Sequence, residues 1–144
     1  MNCLDTNLLV HAHQRESALH EPAKRFVKKV AETSTPWTIC YHSLIEFYGI
    51  VTKKSFWEIA TTPKQAFDQI HAWKASPSLT ILNDSGTTFE ILEKIVLKGK
   101  VSGPMVHDAR IAACCLSYGV SCLYTVDRDF SRFPQLKTLN PLVG

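Results

Sequence analysis

Four short runs of β-branched, aromatic and aliphatic residues punctuate the chain: "MNCL" at the start, "WTICY" from Trp37, "LTIL" from Leu79 and "SCLYTV" from Ser121. Between them lie stretches whose apolar residues recur at helical spacing. Strands separated by helices pair most readily in parallel, so this alternation predicts an α/β domain of three layers, α/β/α, around a mainly parallel sheet of four to five strands. A fifth strand is expected in "LKTLN". Helices are expected from Thr6 or Asn7, over His20 to Glu32 with Pro22 in the first turn, and over "HSLIEFYGIVTKK" and "TPKQAFDQIHAWKAS". Two more are expected over "TTFEILEKIVLKG", with Gly99 as its stop, and from Pro104 to about Tyr118. With 144 residues, 45% of them hydrophobic, the chain suits one domain spanning 1–144.

In such a sheet, ligands bind beyond the carboxyl ends of the strands. Asp5 directly follows the first strand and Asp127 the fourth. Glu46 and Asp108 fall in the opening turns of helices that start at the same rim. Four carboxylates are therefore expected around one point. Each also has a purely structural reading. Asp5 can cap a helix, Glu46 can reach back to Ser43 in a capping box, and Asp127 or Asp129 can cap the turn after "LYTV". Asp108 is harder to explain that way, since its helix is apolar on most sides and a carboxylate there is costly without a cation. A hard divalent ion is the economical way to neutralise all four together.

The net charge of +3 is too mild to mark a nucleic-acid binder by itself, and the basic residues gather in "KRFVKK", Lys53–Lys54 and "KGK". The five cysteines form no CxxC, and His11 and His13 point about 200° apart on a helix. Buried thiols in a reducing compartment are expected, without disulfides or a zinc site. No signal peptide precedes "MNCLDTN", and no apolar run reaches the roughly 20 residues that cross a bilayer, so a soluble cytoplasmic chain is expected.

The strings "CLDTNLLVHA", "HSLIEFYGI", "VHDARIAACC" and "YTVDRDFSRFP", in this order and spacing, resemble the four signature blocks of PIN-domain nucleases, and the short chain resembles the VapC-type toxins of toxin–antitoxin pairs. Asp5, Glu46 and Asp108 match the three recurrent acids of that family, and Asp127 its more variable fourth. The resemblance implies a Mg²⁺- or Mn²⁺-dependent endoribonuclease, a small antitoxin partner and a homodimer.

The chemistry of the residues agrees with that implication. An acid pocket can hydrolyse a phosphodiester only after cations overturn its charge, with Asp5 and Asp108 as ligands and Glu46 and Asp127 assisting directly or through water. In-line attack by water would leave a 5′-phosphate and a 3′-hydroxyl. Thr6, Asn7 and Thr125 are candidates to hold ligands or waters, and Asp129 to cap or support the turn. Arg110, Arg128, Lys53 and Lys54 are candidates for RNA phosphate contact, Arg128 being equally able to pair with its flanking aspartates. Trp37 and Trp73 are expected in the core or at an interface, and Trp57, beside basic residues, against a partner helix or an RNA base. Phe56 and Trp57 are expected to line a groove for an antitoxin segment, with completion of the core as the alternative. Two other function classes share parts of this pattern: a phosphoryl-transfer domain with an acid after its first strand, and a PIN-like scaffold that binds without cleaving. Receiver domains have adjacent acids after that strand and haloacid dehalogenases DxD, where this chain has "DTN".

Overall fold

The computed structural model describes residues 1–143. Its elements run β1 (Asn2–Leu4), α1 (Thr6–His13), α2 (His20–Glu32), β2 (Trp37–Cys40), α3 (Tyr41–Val51), α4 (Pro63–Lys74), β3 (Leu79–Leu82), α5 (Thr88–Gly99), α6 (Val106–Ser117), β4 (Cys122–Tyr124) and β5 (Thr138–Leu139). A turn of 3-10 helix, Gly103–Met105, leads into α6, and another, Arg128–Arg132, follows β4. All five strands are parallel, in the order β3-β2-β1-β4-β5. The chain winds outward from β1 through β2 to β3, then crosses back to lay β4 on the other side of β1. The winding therefore reverses between β1 and β4, which opens a crevice at their carboxyl ends.

The period of two along each strand divides the core. On β2, Trp37 and Ile39 join the cluster built with α1 to α4, while Cys40 joins the one built with α5 and α6. On β1, Leu4 and Cys3 divide in the same way. Covering both faces explains why these strands carry little polarity. Trp37 and Trp73 are core residues, as expected, and Trp73 meets Phe47 edge-on at 4.8 Å between centroids. Beyond β4, Phe130 and Phe133 are buried with centroids 6.2 Å apart, clamping the short helix that carries Asp129 into the α5–α6 layer. The acid-bearing loop is thus anchored by core aromatics on its own sequence.

Helix α5 stops where expected, though not by the expected device. Gly99 is the last residue of α5, and Lys100 takes the left-handed conformation, at φ 53°. The demand for a small residue at position 99 is steric: an added Cβ would lie 3.2 Å from the Arg132 carbonyl oxygen. The Ser43–Glu46 capping box does not form either. Because α3 starts at Tyr41, Glu46 lies a turn and a half in, beyond reach of the first backbone N–H groups, and the Ser43 hydroxyl is buried without a partner. A capping box does form at α4, between Thr62 and Gln65. Among the described residues, no helix is long and apolar enough to cross a membrane.

Candidate active site

Asp5 stands at the N-cap position of α1, yet its side chain makes no capping hydrogen bond. Instead, its Oδ2 accepts a 2.7 Å bond from Thr125 Oγ1, while its backbone N–H donates to the Tyr124 carbonyl. The Thr125 hydroxyl also accepts the Asp127 N–H at 3.0 Å. One threonine thereby ties the end of β1 to the end of β4. Asp5 is only 3% exposed, and burial pushes its carboxyl pKa up to about 7, with the Asp108 charge adding to the rise and the Thr125 bond opposing it.

Asp108 lies in the first turn of α6. Burial raises its pKa to about 6, reinforced by the negative charges of Asp127, Glu46 and Asp129. Carboxylate oxygens of Asp108, Asp127 and Asp129 lie within 4.8 Å of one another. Asp127 is also the cap: its Oδ1 accepts the Asp129 N–H at 2.8 Å. The capping role expected of Asp129 thus falls to Asp127, because the turn begins one residue after it, and the Asp129 carboxylate is left to join the cluster. Glu46 reaches the site from α3, where its Oε1 accepts 2.9 Å from Thr6 Oγ1. Asn7 Oδ1 is buried without a partner.

These five carboxylates share a rim with little compensating charge. Among the described residues, no lysine or arginine lies within ion-pair distance of Asp5, Glu46, Asp108, Asp127 or Asp129. Arg128 is exposed and makes no ion pair with its flanking aspartates. The basic side chain on α6, Arg110, is turned elsewhere: it donates to Asp84 Oδ2 at 2.8 Å and to His42 Nδ1 at 3.2 Å.

That second contact decides the state of His42. A guanidinium can only donate, so Nδ1 must accept and the imidazole proton sits on Nε2. His42 Nε2 lies 3.3 Å from His107 Nδ1 and 3.9 Å from Glu46 Oε2, and the two imidazoles stack. Burial lowers the His42 pKa, and Arg110 and His107 push in the same direction against the pull of Glu46. With Nδ1 facing the guanidinium, His42 meets Glu46 through its Nε2 edge. The sequence reading missed Asp84, His42 and His107, since single polar residues in "LND", "YHS" and "VHD" carry no spacing signal.

Lys53 and Lys54 follow the C-terminus of α3, two turns beyond Glu46, and Lys53 Nζ sits 4.2 Å from the centre of the Phe56 ring. Trp57 is partly buried against the core and its Nε1–H donates to the Ile50 carbonyl at 2.8 Å, while Phe56 and Ile59 stay exposed.

The chain is 26% identical to the VapC ribonuclease Mb2897 of Mycobacterium bovis over 144 residues, covering all of this chain and 97% of that protein. It is 25% identical to the ribonuclease VapC31 of Mycobacterium tuberculosis over 141 residues, 98% of this chain and 99% of the relative. Among solved structures, FitAcB of Neisseria gonorrhoeae superposes with a TM-score of 0.71 at 16% identity, over 100% of both chains. The M. tuberculosis toxin VapC20, described as cleaving the sarcin–ricin loop, superposes with a TM-score of 0.68 at 18% identity, over 91% of this chain and 93% of that one. At such identities the structural likeness establishes the fold. The PIN domain model matches residues 3–136, from the strand that delivers Asp5 to a point beyond the turn that carries Asp129, and the chain belongs to the PIN domain family.

Proposed function

We propose that the protein is a divalent-metal-dependent endoribonuclease, the toxin of a toxin–antitoxin pair, hydrolysing RNA phosphodiester bonds at the β1–β4 crevice. The observation that carries this reading is the convergence of Asp5, Glu46, Asp108, Asp127 and Asp129 without a compensating lysine or arginine. Named ribonucleases matching nearly end to end support it.

The donor set, all oxygen and mostly carboxylate, fits Mg²⁺ or Mn²⁺. Asp5 and Asp108, together with Asp127 and Asp129, are the residues that would hold such an ion. A bound ion would supply the positive charge that a phosphodiester and an ionised attacking water both need. The chain's own residues do the positioning. Thr125 holds Asp5 on the wall between β1 and β4, Thr6 holds Glu46, and the buried Phe130–Phe133 pair holds the turn of Asp127 and Asp129. Arg128, exposed in that same turn, is the guanidinium we assign to substrate phosphate. Arg110 is assigned instead to holding His42.

The reading includes a small antitoxin, a homodimer and action in the cytosol. Phe56 and Ile59, at 55% and 80% exposure, offer apolar surface to an antitoxin segment, with Trp57 forming the buried edge of that surface. Tyr41 and Ile45 of α3 with Phe67 of α4 offer a second apolar surface, suited to another copy of the chain.

The test is cleavage of a labelled RNA by the purified protein with Mg²⁺ or Mn²⁺, with EDTA, and with Asp108→Asn. Metal-dependent cleavage lost by at least ~100-fold in the variant is the expected result, as for removal of a group that stabilises transition-state charge. Undiminished cleavage in EDTA by both proteins would sink the reading. Tight RNA binding without cleavage under any divalent ion would favour the non-catalytic scaffold.

A further inference from the structure

A second convergence of ligand atoms lies in the core between the sheet and α6. Cys3 on β1, Cys40 at the end of β2 and Cys115 on α6 each offer a sulfur, and the three lie within 4.8 Å of one another. All three residues are buried, at 0%, 1% and 0% exposure. The Sγ atoms of Cys3 and Cys40 are 3.9 Å apart.

The sheet register explains both this contact and why it does not lead readily to a disulfide. Cys3 pairs with Thr38, so Cys40 is its diagonal neighbour, two residues further along β2. Strand spacing and rise put such diagonal Cα atoms about 8 Å apart. A disulfide seldom spans more than about 7 Å. The sulfurs therefore meet while the backbone resists joining them. A metal ion asks for the wider spacing: bonds of about 2.3 Å from one ion to three sulfurs in a plane hold those sulfurs about 4.0 Å apart.

The surroundings narrow the choice of ion. Three sulfurs in an apolar setting that includes Ala112 and Leu123 select a soft cation. Burial favours an electrically neutral complex. A monovalent ion reaches neutrality with a single thiolate and two thiols. A cavity of about 230 Å³ lined by Cys40 and Cys114, together with His42 and Arg110, offers an approach.

We propose that Cys3, Cys40 and Cys115 form a buried three-sulfur site for a soft monovalent cation of the copper(I) class. Binding releases one proton, from the thiol that becomes the thiolate, and moves no electrons. The bound ion ties β1, β2 and α6, which lead to or carry Asp5, Glu46 and Asp108. The site stands independently of the nuclease reading.

The experiment titrates anaerobic, reduced protein with copper(I) held by a chromophoric chelator, in EDTA so that the carboxylates play no part. The wild-type protein and Cys122→Ser, altered outside the cluster, are expected to withdraw one copper(I) per chain. Cys3→Ala and Cys115→Ala should bind at least about tenfold more weakly, or by about 1.4 kcal/mol. Copper-edge X-ray absorption of the wild-type complex should show sulfur neighbours alone, three per ion. No withdrawal by the wild-type protein, equal withdrawal by Cys115→Ala, or nitrogen and oxygen neighbours at the edge would each overturn the proposal.

Discussion

Asp5 shows most directly how a buried carboxyl costs stability. Its pKa rises from the ordinary 3.8 to about 7, and that of Asp108 from 3.8 to about 6. A folded state that holds protons more tightly than the unfolded chain gains stability at low pH. For these two groups the gain is complete below about pH 4 and is lost as pH rises through 6 and 7. We therefore expect the metal-free protein to melt at a lower temperature at pH 8 than at pH 5. Asp5→Asn should raise the melting temperature in EDTA at pH 8, by about 2–4 °C per kcal/mol relieved. It should do little at pH 5, where the wild-type carboxyl is already neutral. An equal gap at both values would show that the hydrogen bond, rather than the charge, sets the effect. Thr125 gives the complementary test. Thr125→Val removes a hydroxyl that donates to Asp5 and accepts from Asp127, so a loss of about 2 kcal/mol is expected in urea unfolding, together with loss of cleavage. Thr125→Ser should keep both.

At the scale of elements, the site depends on where helices begin and end. Starting α3 at Tyr41 puts Glu46 beside Thr6, and starting α6 after a 3-10 turn puts Asp108 in the first turn, where a carboxylate meets the positive end of the helix dipole. The end of α5 is less favourable, because Lys100 is the one described non-glycine residue with positive φ. That conformation costs an L-residue about 1–2 kcal/mol, part of which glycine returns through the entropy of the unfolded chain. Lys100→Gly should therefore stabilise the fold by about 0.5–1 kcal/mol, read as a shift in denaturation midpoint at unchanged slope. Because Gly99 lies against the Arg132 carbonyl, placing the glycine at 100 and alanine at 99 should reverse the gain.

Across the whole molecule, a parallel sheet that reverses its winding between β1 and β4 brings residues from both ends of the chain to one crevice, with Thr125 and Asp5 joined across 120 positions. The same packing leaves Ile45 and Phe67 each 53% exposed, and Phe67 pairs with Tyr48 at 5.1 Å between ring centroids. If two copies meet on this surface, Ile45→Lys with Phe67→Lys should convert the dimer to a folded monomer in sedimentation velocity, with an unchanged circular dichroism spectrum. A variant that remains dimeric would place the two-fold contact elsewhere.

Fold class and the existence of the elements were legible along the chain because local propensity and hydrophobic period agree with tertiary burial. The shared rim of Asp5, Glu46, Asp108 and Asp127 was also legible, since the ends of parallel strands, which place Asp5 and Asp127, and the opening turns of the helices that follow, which place Glu46 and Asp108, fall on one side of the sheet before any contact is known. Contacts that depend on the distance between elements were not. Nothing in "LND" and "YHS" announces that Asp84 will hold Arg110 and that Arg110 will fix the proton of His42, nor does "DRDF" say which aspartate caps the turn and which is left to the cluster. The cysteines mark the boundary most sharply. Read in sequence they are scattered small apolar residues, and only the diagonal register of β1 on β2, with α6 laid across it, brings three sulfurs together, because side-chain proximity in a sheet follows strand pairing rather than chain order.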